Sequence, residues 1–332
     1  QSRMIKLDFL ARKTNYIDHL APVWNQFPRE RRGLFYTDKP NLAYAVQELG
    51  EEGLTIFDGK GIDGEFLLTC GYGDLLPNGT PIKRITMEHG IGHAFTSNAY
   101  PNGRGKRDGV SLALLPNEYT ERLAWKARLH TPTAVIGTPK TDEQANRYGV
   151  RLSDEPTLAI AFHWGGKDSD PPESGNALDH YKDILPELGK RYRVIGHGHP
   201  LAEAEFREVF AKAGIEYVGD FREVCRRADV YINDLSSTMY EFITTGKPVI
   251  VINAPQFRRD VQWGIRFWDY SDVGINVEQP DELFAAIDLT LAEYQTIHIY
   301  QRMEAIQDLY PYFGAATERA IQVLCDYMDT AP

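Results

Sequence analysis

The chain has 332 residues, 42% of them hydrophobic, and a formal net charge of −11 at pH 7. That length and apolar content exceed what one domain usually holds, so two domains are predicted. The acidic balance argues against a protein that coats nucleic acid or anionic membrane by bulk charge, and no run of about 18 apolar residues exists to span a bilayer.

Short apolar runs alternate with amphipathic stretches along the chain. Strands are predicted at residues 4–10, 33–36, 54–57, 66–70, 85–88, 110–115 and 133–136, with helices at 17–27, 41–49 and 118–130 set by apolar spacing. A polar, strand-free stretch at 139–156 marks the domain boundary. The rhythm then repeats, with strands at 157–163, 192–196, 215–218, 230–233 and 248–253 and helices at 176–188, 201–213, 221–228 and 237–245. After Pro280 three helices follow, at 281–294, 297–309 and 315–328. Strand–helix alternation with continuous apolar strands predicts an α/β chain of two doubly wound, Rossmann-like domains with parallel sheets, residues 4–140 and 155–312, and a last helix, 315–330, placed to pack back on the first. In such folds ligands sit at the carboxyl ends of the strands, here in a crevice between the domains.

Cys70, Cys225 and Cys325 lie far apart, in no metal or redox spacing. This predicts packing roles and a reducing, cytoplasmic location. The N-terminus lacks a signal-peptide core; Met4 reads as the natural start, and Gln1-Ser2-Arg3 are set aside from fold reasoning.

Three strand-to-helix junctions carry groups suited to chemistry. The first strand end of interest runs into His89-Gly90, a group titrating near neutrality beside backbone able to approach a ligand. A histidine satisfied by loop carbonyls is the plainer alternative. The second junction is "VIGHGHPLAE", where His197 and His199 precede Pro200 and a helix whose first amides favour an anion. Zinc would need further ligands that the spacing does not supply, so no metal is expected. The third is "NDLSSTMYE". One serine would be explained as a helix cap, but Asp234, Ser236, Ser237 and Thr238 together read as a phosphate seat, with Glu241 one turn on for sugar hydroxyls. His163 ends another strand of the same half, and Arg258, Arg259 and Arg266 are guanidinium candidates for phosphate oxygens. Asp168-Ser169-Asp170 and the basic loop with Arg104, Lys106 and Arg107 read as solvated loops.

The order His-Gly, His-Pro and then "DFREVCRRADVYINDLSSTMYEFITTGKPVIVI" resembles the CDP-glycerol glycerophosphotransferases of teichoic-acid and capsule synthesis, within the GT-B glycosyltransferase-like superfamily. Asp220, Val224, Asp229, Ile232, Asp234, Ser236 and Ser237 align with that family's motif, and "QWGIRFWDY" aligns Arg266. Glu88 and Leu235 stand where the family has aromatic residues, and "FHWGGKD" replaces its Pro-Thr-Trp-Arg. The resemblance implies a nucleotide-diphosphate donor (UDP-sugar or CDP-glycerol-like) on the C-terminal domain, a hydroxyl acceptor on the N-terminal one, and catalysis with neither cofactor nor metal. It implies His89 as general base and His199 as a contact to the donor phosphates. Gly90, His163, His197, Asp234, Ser236, Ser237, Thr238, Glu241, Arg258 and Arg266 form the expected donor-binding set. Self-association, a peripheral membrane location and the acceptor (polymer, glycan or modified base) stay open. A non-hydrolysing UDP-sugar 2-epimerase and a non-catalytic nucleotide-sugar-binding protein are the competing readings.

Overall fold

The computed structural model describes residues 5–70, 81–91, 109–126, 131–145, 150–165, 175–234, 236–257 and 268–331. The chain divides into two compact units, one built of Gln1–Gly92, Ser97–Asn146 and Asp308–Pro332, the other chiefly of Arg147–Gln307.

In the first unit, strands β1 (Leu7–Leu10), β2 (Arg32–Thr37), β3 (Leu54–Ile56), β4 (Phe66–Thr69), β5 (Lys83–Met87), β6 (Val110–Leu115) and β7 (Thr133–Val135) form one sheet ordered β3-β2-β1-β4-β5-β6-β7. Every pairing in it is parallel. Helices α1 (Thr14–Gln26), α2 (Leu42–Leu49) and α3 (Glu118–Lys126) are the crossovers seen among the described residues. Apolar positions of α1 (Ile17, Leu20, Val23, Trp24) meet Phe9, Phe35, Phe66 and Leu68 of the strands. Phe9 stands edge-on to Trp24 at 5.1 Å and stacks on Phe35 at 5.9 Å, geometries that add to the area term.

The second unit repeats the plan. Strands β8 (Thr157–Phe162), β9 (Arg193–Gly198), β10 (Glu216–Tyr217), β11 (Val230–Asn233), β12 (Val249–Ile252) and β13 (Gly274–Val277) are ordered β10-β9-β8-β11-β12-β13, again all parallel. Between them run α4 (Leu178–Tyr181), α5 (Leu185–Arg191), α6 (Glu203–Lys212), α7 (Phe221–Arg227) and α8 (Ser237–Ile243), with α9 (Glu282–Ala292) after the last strand. Helix α10 (Ile299–Leu309) leads to α11 (Ala316–Thr330), whose Ala320, Leu324 and Met328 complete the first unit's core. Asp142 holds that last helix by accepting hydrogen bonds from the amides of Gly314, Ala316 and Thr317 (2.7–3.1 Å), groups that lack intrahelical partners.

Two expectations change. The helix expected over 176–188 is α4 and α5 separated by a 3₁₀ turn, Lys182–Ile184, because Pro186 lacks an N–H and crowds the preceding turn, so it can sit only where a new helix begins. Strand β13 was not expected: its four residues, Gly-Ile-Asn-Val, are too short for a periodic signal. The Gly246-Lys247-Pro248 step also finds its reason. Gly246 is left-handed (φ 82°), and Lys247 Nζ donates to the carbonyls of Cys225 (2.8 Å) and Ala228 (2.7 Å), closing the C-terminus of α7.

Candidate active site

The order of each sheet reverses direction about its first strand, at β1/β4 in the first unit and β8/β11 in the second. Such switch points open a crevice at the strands' carboxyl ends. His163 and Asp234 follow the second unit's switch-point strands, with His199 on the neighbouring β9; His89 follows β5, next to β4.

In the second unit the register fixes the arrangement. Phe162 pairs with Gly198 and Ala161 with Asn233, so His163, His199 and Asp234 emerge side by side from three adjacent strands. The His163 and His199 rings meet edge to face at 5.3 Å, and Trp164, 42% exposed, lies 6.3 Å from His199. His199 is the cap of the 3₁₀ turn Pro200–Ala202: its Nδ1 accepts the Leu201 amide hydrogen at 3.2 Å. A neutral imidazole accepting at Nδ1 carries its hydrogen on Nε2, so His199 presents an N–H donor. Gly198 permits this, since a Cβ there would stand 2.1 Å from the Phe206 ring that α6 packs against β9.

Asp234 is 1% exposed and its carboxylate accepts hydrogen bonds from the amides of His163 (3.0 and 3.3 Å) and Ala177 (3.0 Å). Asn176 Nδ2 donates to the His163 carbonyl at 2.7 Å. Together they bolt the end of β8 to the start of α4. The other acids of the motif do similar work. Asp229 accepts from Ser153 and from the Thr157 amide at the beginning of β8, and Asp220 caps α7 through the Arg222 amide. Asp229 and Asp234 thus bracket β11 and tie it to both ends of β8. For Asp234 this differs from the expected direct contact with a ligand: its oxygens accept hydrogen bonds from backbone amides.

Ser236 begins α8, with its amide donating to Asn233 Oδ1 at 2.7 Å. Its hydroxyl makes no cap bond; it lies 2.5 Å from Thr238 Oγ1, which is 2.8 Å from the Tyr231 hydroxyl. Ser237 is half-buried and Glu241 is 5% exposed on the same helix.

His197 corrects the sequence reading. It is 5% exposed, its Nδ1–H donates to the Val218 carbonyl at 2.7 Å, and its ring lies against Tyr217 and Phe221. It packs the β9–β10 edge, and only His199 flanks the following turn. Arg258, Arg259 and Arg266 lie outside the described residues, as do Asp168, Asp170, Arg104, Lys106 and Arg107.

In the first unit His89 follows β5. Its Nδ1 lies 3.2 Å from the Cys70 carbonyl oxygen, a group that only accepts. Nδ1 therefore bears the hydrogen and Nε2 is the basic nitrogen. Gly90 adopts φ 88°, a left-handed turn open to glycine, directly after the imidazole. Tyr16 of α1 meets the His89 ring edge-on at 4.9 Å, and His19 of the same helix lies 6.4 Å away. Full burial, then the charge of Lys140 and the neighbouring His89, hold His19 well below the usual imidazole range, so it is neutral at pH 7. Sequence reasoning missed His19, Tyr16, Asn176, Asn233 and Trp164. The helical residues carried only apolar spacing, and Asn233, directly before the Asp-Leu-Ser-Ser run, was the one legible signal.

Each unit is thus a doubly wound parallel sheet that carries polar groups at its strand ends. Residues 76–259 match the model of the CDP-Glycerol:Poly(glycerophosphate) glycerophosphotransferase family, and the chain belongs to that family. Among solved structures it is similar to the wall teichoic acid polymerase TagF, with TM-score 0.69 and 15% identity over 98% of this chain and 90% of that one. A His-to-Asn variant of that polymerase with CDPG gives TM-score 0.68 and 14% identity over 99% and 90%. A putative UDP-N-acetylglucosamine 2-epimerase from Listeria monocytogenes gives 0.65 and 12% over 99% and 98%. These likenesses speak to fold. No curated protein sequence matches the chain. No helix among the described residues is long and apolar enough to cross a membrane.

Proposed function

We propose that this transferase moves glycerophosphate from CDP-glycerol, or a close nucleotide-diphosphate analogue, to an acceptor hydroxyl. The observation that carries the reading is the opposed state of two imidazoles: His89 offers a basic Nε2, whereas His199 offers an Nε2–H. An acceptor alcohol has a pKa far above neutrality and must lose its proton as it attacks, the task of a group such as His89. The departing nucleotide carries phosphate charge, which calls for hydrogen-bond donors. His199, Ser236 and Ser237 supply them, and Thr238 stands behind Ser236. Arg258 and Arg266 add cationic charge in this reading, and Glu241 meets the ribose.

In the reaction the acceptor oxygen bonds to the phosphorus bearing glycerol. The bridging P–O bond breaks, its electrons leave with CMP, and the hydroxyl proton passes to His89 Nε2. His163, Asp234 and Asn176 act by fixing the strand end beside His199. No divalent ion takes part in this scheme, and activity in EDTA should match activity with Mg²⁺.

The test is CMP release from CDP-glycerol, with and without poly(glycerol phosphate) primer, beside a parallel incubation of UDP-N-acetylglucosamine alone. Primer-dependent CMP release is the expected result. Epimerised sugar from the UDP arm, with CDP-glycerol left intact, would replace this reading with the epimerase one.

A further inference from the structure

Tyr231 lies on β11, fully buried, with its ring stacked on Phe242 at 5.0 Å and edge-on to Phe221 at 5.7 Å. Its hydroxyl is 2.8 Å from Thr238 Oγ1, and Thr238 Oγ1 is 2.5 Å from Ser236 Oγ. Three hydroxyls therefore form a chain from the sheet interior to the residue that opens α8. Each hydroxyl has a single hydrogen, so the chain must point one way or the other.

The buried end selects the direction. Tyr231 is fully buried, and a phenolic hydrogen left there without an acceptor would be costly, so it goes to Thr238 Oγ1, 2.8 Å away. Thr238, having accepted, directs its own hydrogen to Ser236 Oγ. Ser236 then has its hydrogen left for a group beyond the chain. A phosphate oxygen only accepts, and it matches that end. Aligned hydroxyls also polarise one another, which strengthens the last bond in the series.

We infer that Tyr231 is a positioning residue that orients Thr238 and thereby makes Ser236 a committed hydrogen-bond donor to the donor nucleotide's phosphate. The inference rests on the reading above that Ser236 meets that phosphate. Nothing in it requires Tyr231 to touch the ligand.

The test is a double-mutant cycle read by calorimetric titration of CDP at pH 7. Tyr231→Phe keeps the ring in its packing and removes one oxygen. It should weaken CDP about three- to ten-fold, the scale of one hydrogen bond, and raise the donor KM with kcat little changed. In a Ser236→Ala background the same substitution should have no further effect. Thr238→Val should reproduce Tyr231→Phe, and Thr238→Ser should restore binding, which guards against a variant that fails to fold. If Ser236→Ala weakens CDP but Tyr231→Phe does nothing, or acts equally in both backgrounds, the relay is wrong and the phosphate contact stands. If Ser236→Ala leaves CDP binding untouched, the phosphate contact itself is wrong and the relay falls with it.

Discussion

The two strand-end regions are built on the same plan and hold their imidazoles in opposite tautomers. Each belongs to a parallel sheet whose order reverses about its first strand, and each places an imidazole just past a strand. In the first unit a carbonyl takes the Nδ1 hydrogen of His89, and in the second an amide gives its hydrogen to Nδ1 of His199. One backbone group per ring thus decides whether the outer nitrogen accepts a proton or donates a hydrogen bond. Fold repetition supplies the positions, and local turn chemistry sets the tautomer. Both rings have an aromatic and a histidine neighbour, Tyr16 and His19 for His89, Trp164 and His163 for His199.

The sharpest way to break this contrast is to remove each imidazole in turn. His89→Ala should lower turnover by about 10²–10⁴-fold while CDP binding stays at the wild-type level, read by CMP release and calorimetry side by side. His199→Ala should do the converse, weakening CDP by about ten-fold or more, since hydrogen bonds to charged groups are worth roughly 1.5–3 kcal/mol. Equal losses of binding in the two variants would abolish the division of roles. Asp234→Asn should come next in size. It sets an amide group against backbone N–H donors, costs about 1–3 kcal/mol of stability, and lowers Tm by several degrees, with donor affinity falling alongside. A variant as stable as the parent would show that the bolt between β8 and α4 is dispensable.

The smallest effect concerns His19. Its folded-state pKa lies below the unfolded value, so above about pH 6.5 neither state takes up a proton there and its full contribution to stability is present. As pH falls below that, the unfolded chain binds a proton that the buried ring refuses, and stability declines. His19→Gln should flatten the stability profile on the acid side of neutrality, measured by urea unfolding between pH 5 and 7.5. An unchanged slope would assign that dependence to other groups.

Much of this was legible in the sequence because it is local. Continuous apolar runs such as Leu158–Phe162 and Val249–Ile252 announce strands buried on both faces, and the residues that follow them are the ones the sheet brings forward. His89, His199 and Ser236 were visible for that reason. What was not legible depends on groups distant in sequence. Nothing near Asp234 reveals that its oxygens are claimed by the amides of His163 and Ala177. His197 and His199 look equivalent in the chain, but the first meets the Val218 carbonyl on a neighbouring strand and the second turns onto Leu201. Of the motif's acids, Asp234 was expected at the ligand, and all three, Asp220, Asp229 and Asp234, accept hydrogen bonds from backbone amides.

The most direct test of the account is calorimetric titration of CDP into three proteins: wild type, His89→Ala and the His199→Ala/Ser236→Ala double variant. We predict saturable one-to-one binding in the first two with matching affinity, and binding reduced by at least ten-fold in the third. Unaltered binding in the double variant would contradict the placement of the donor's diphosphate at the carboxyl ends of β8, β9 and β11.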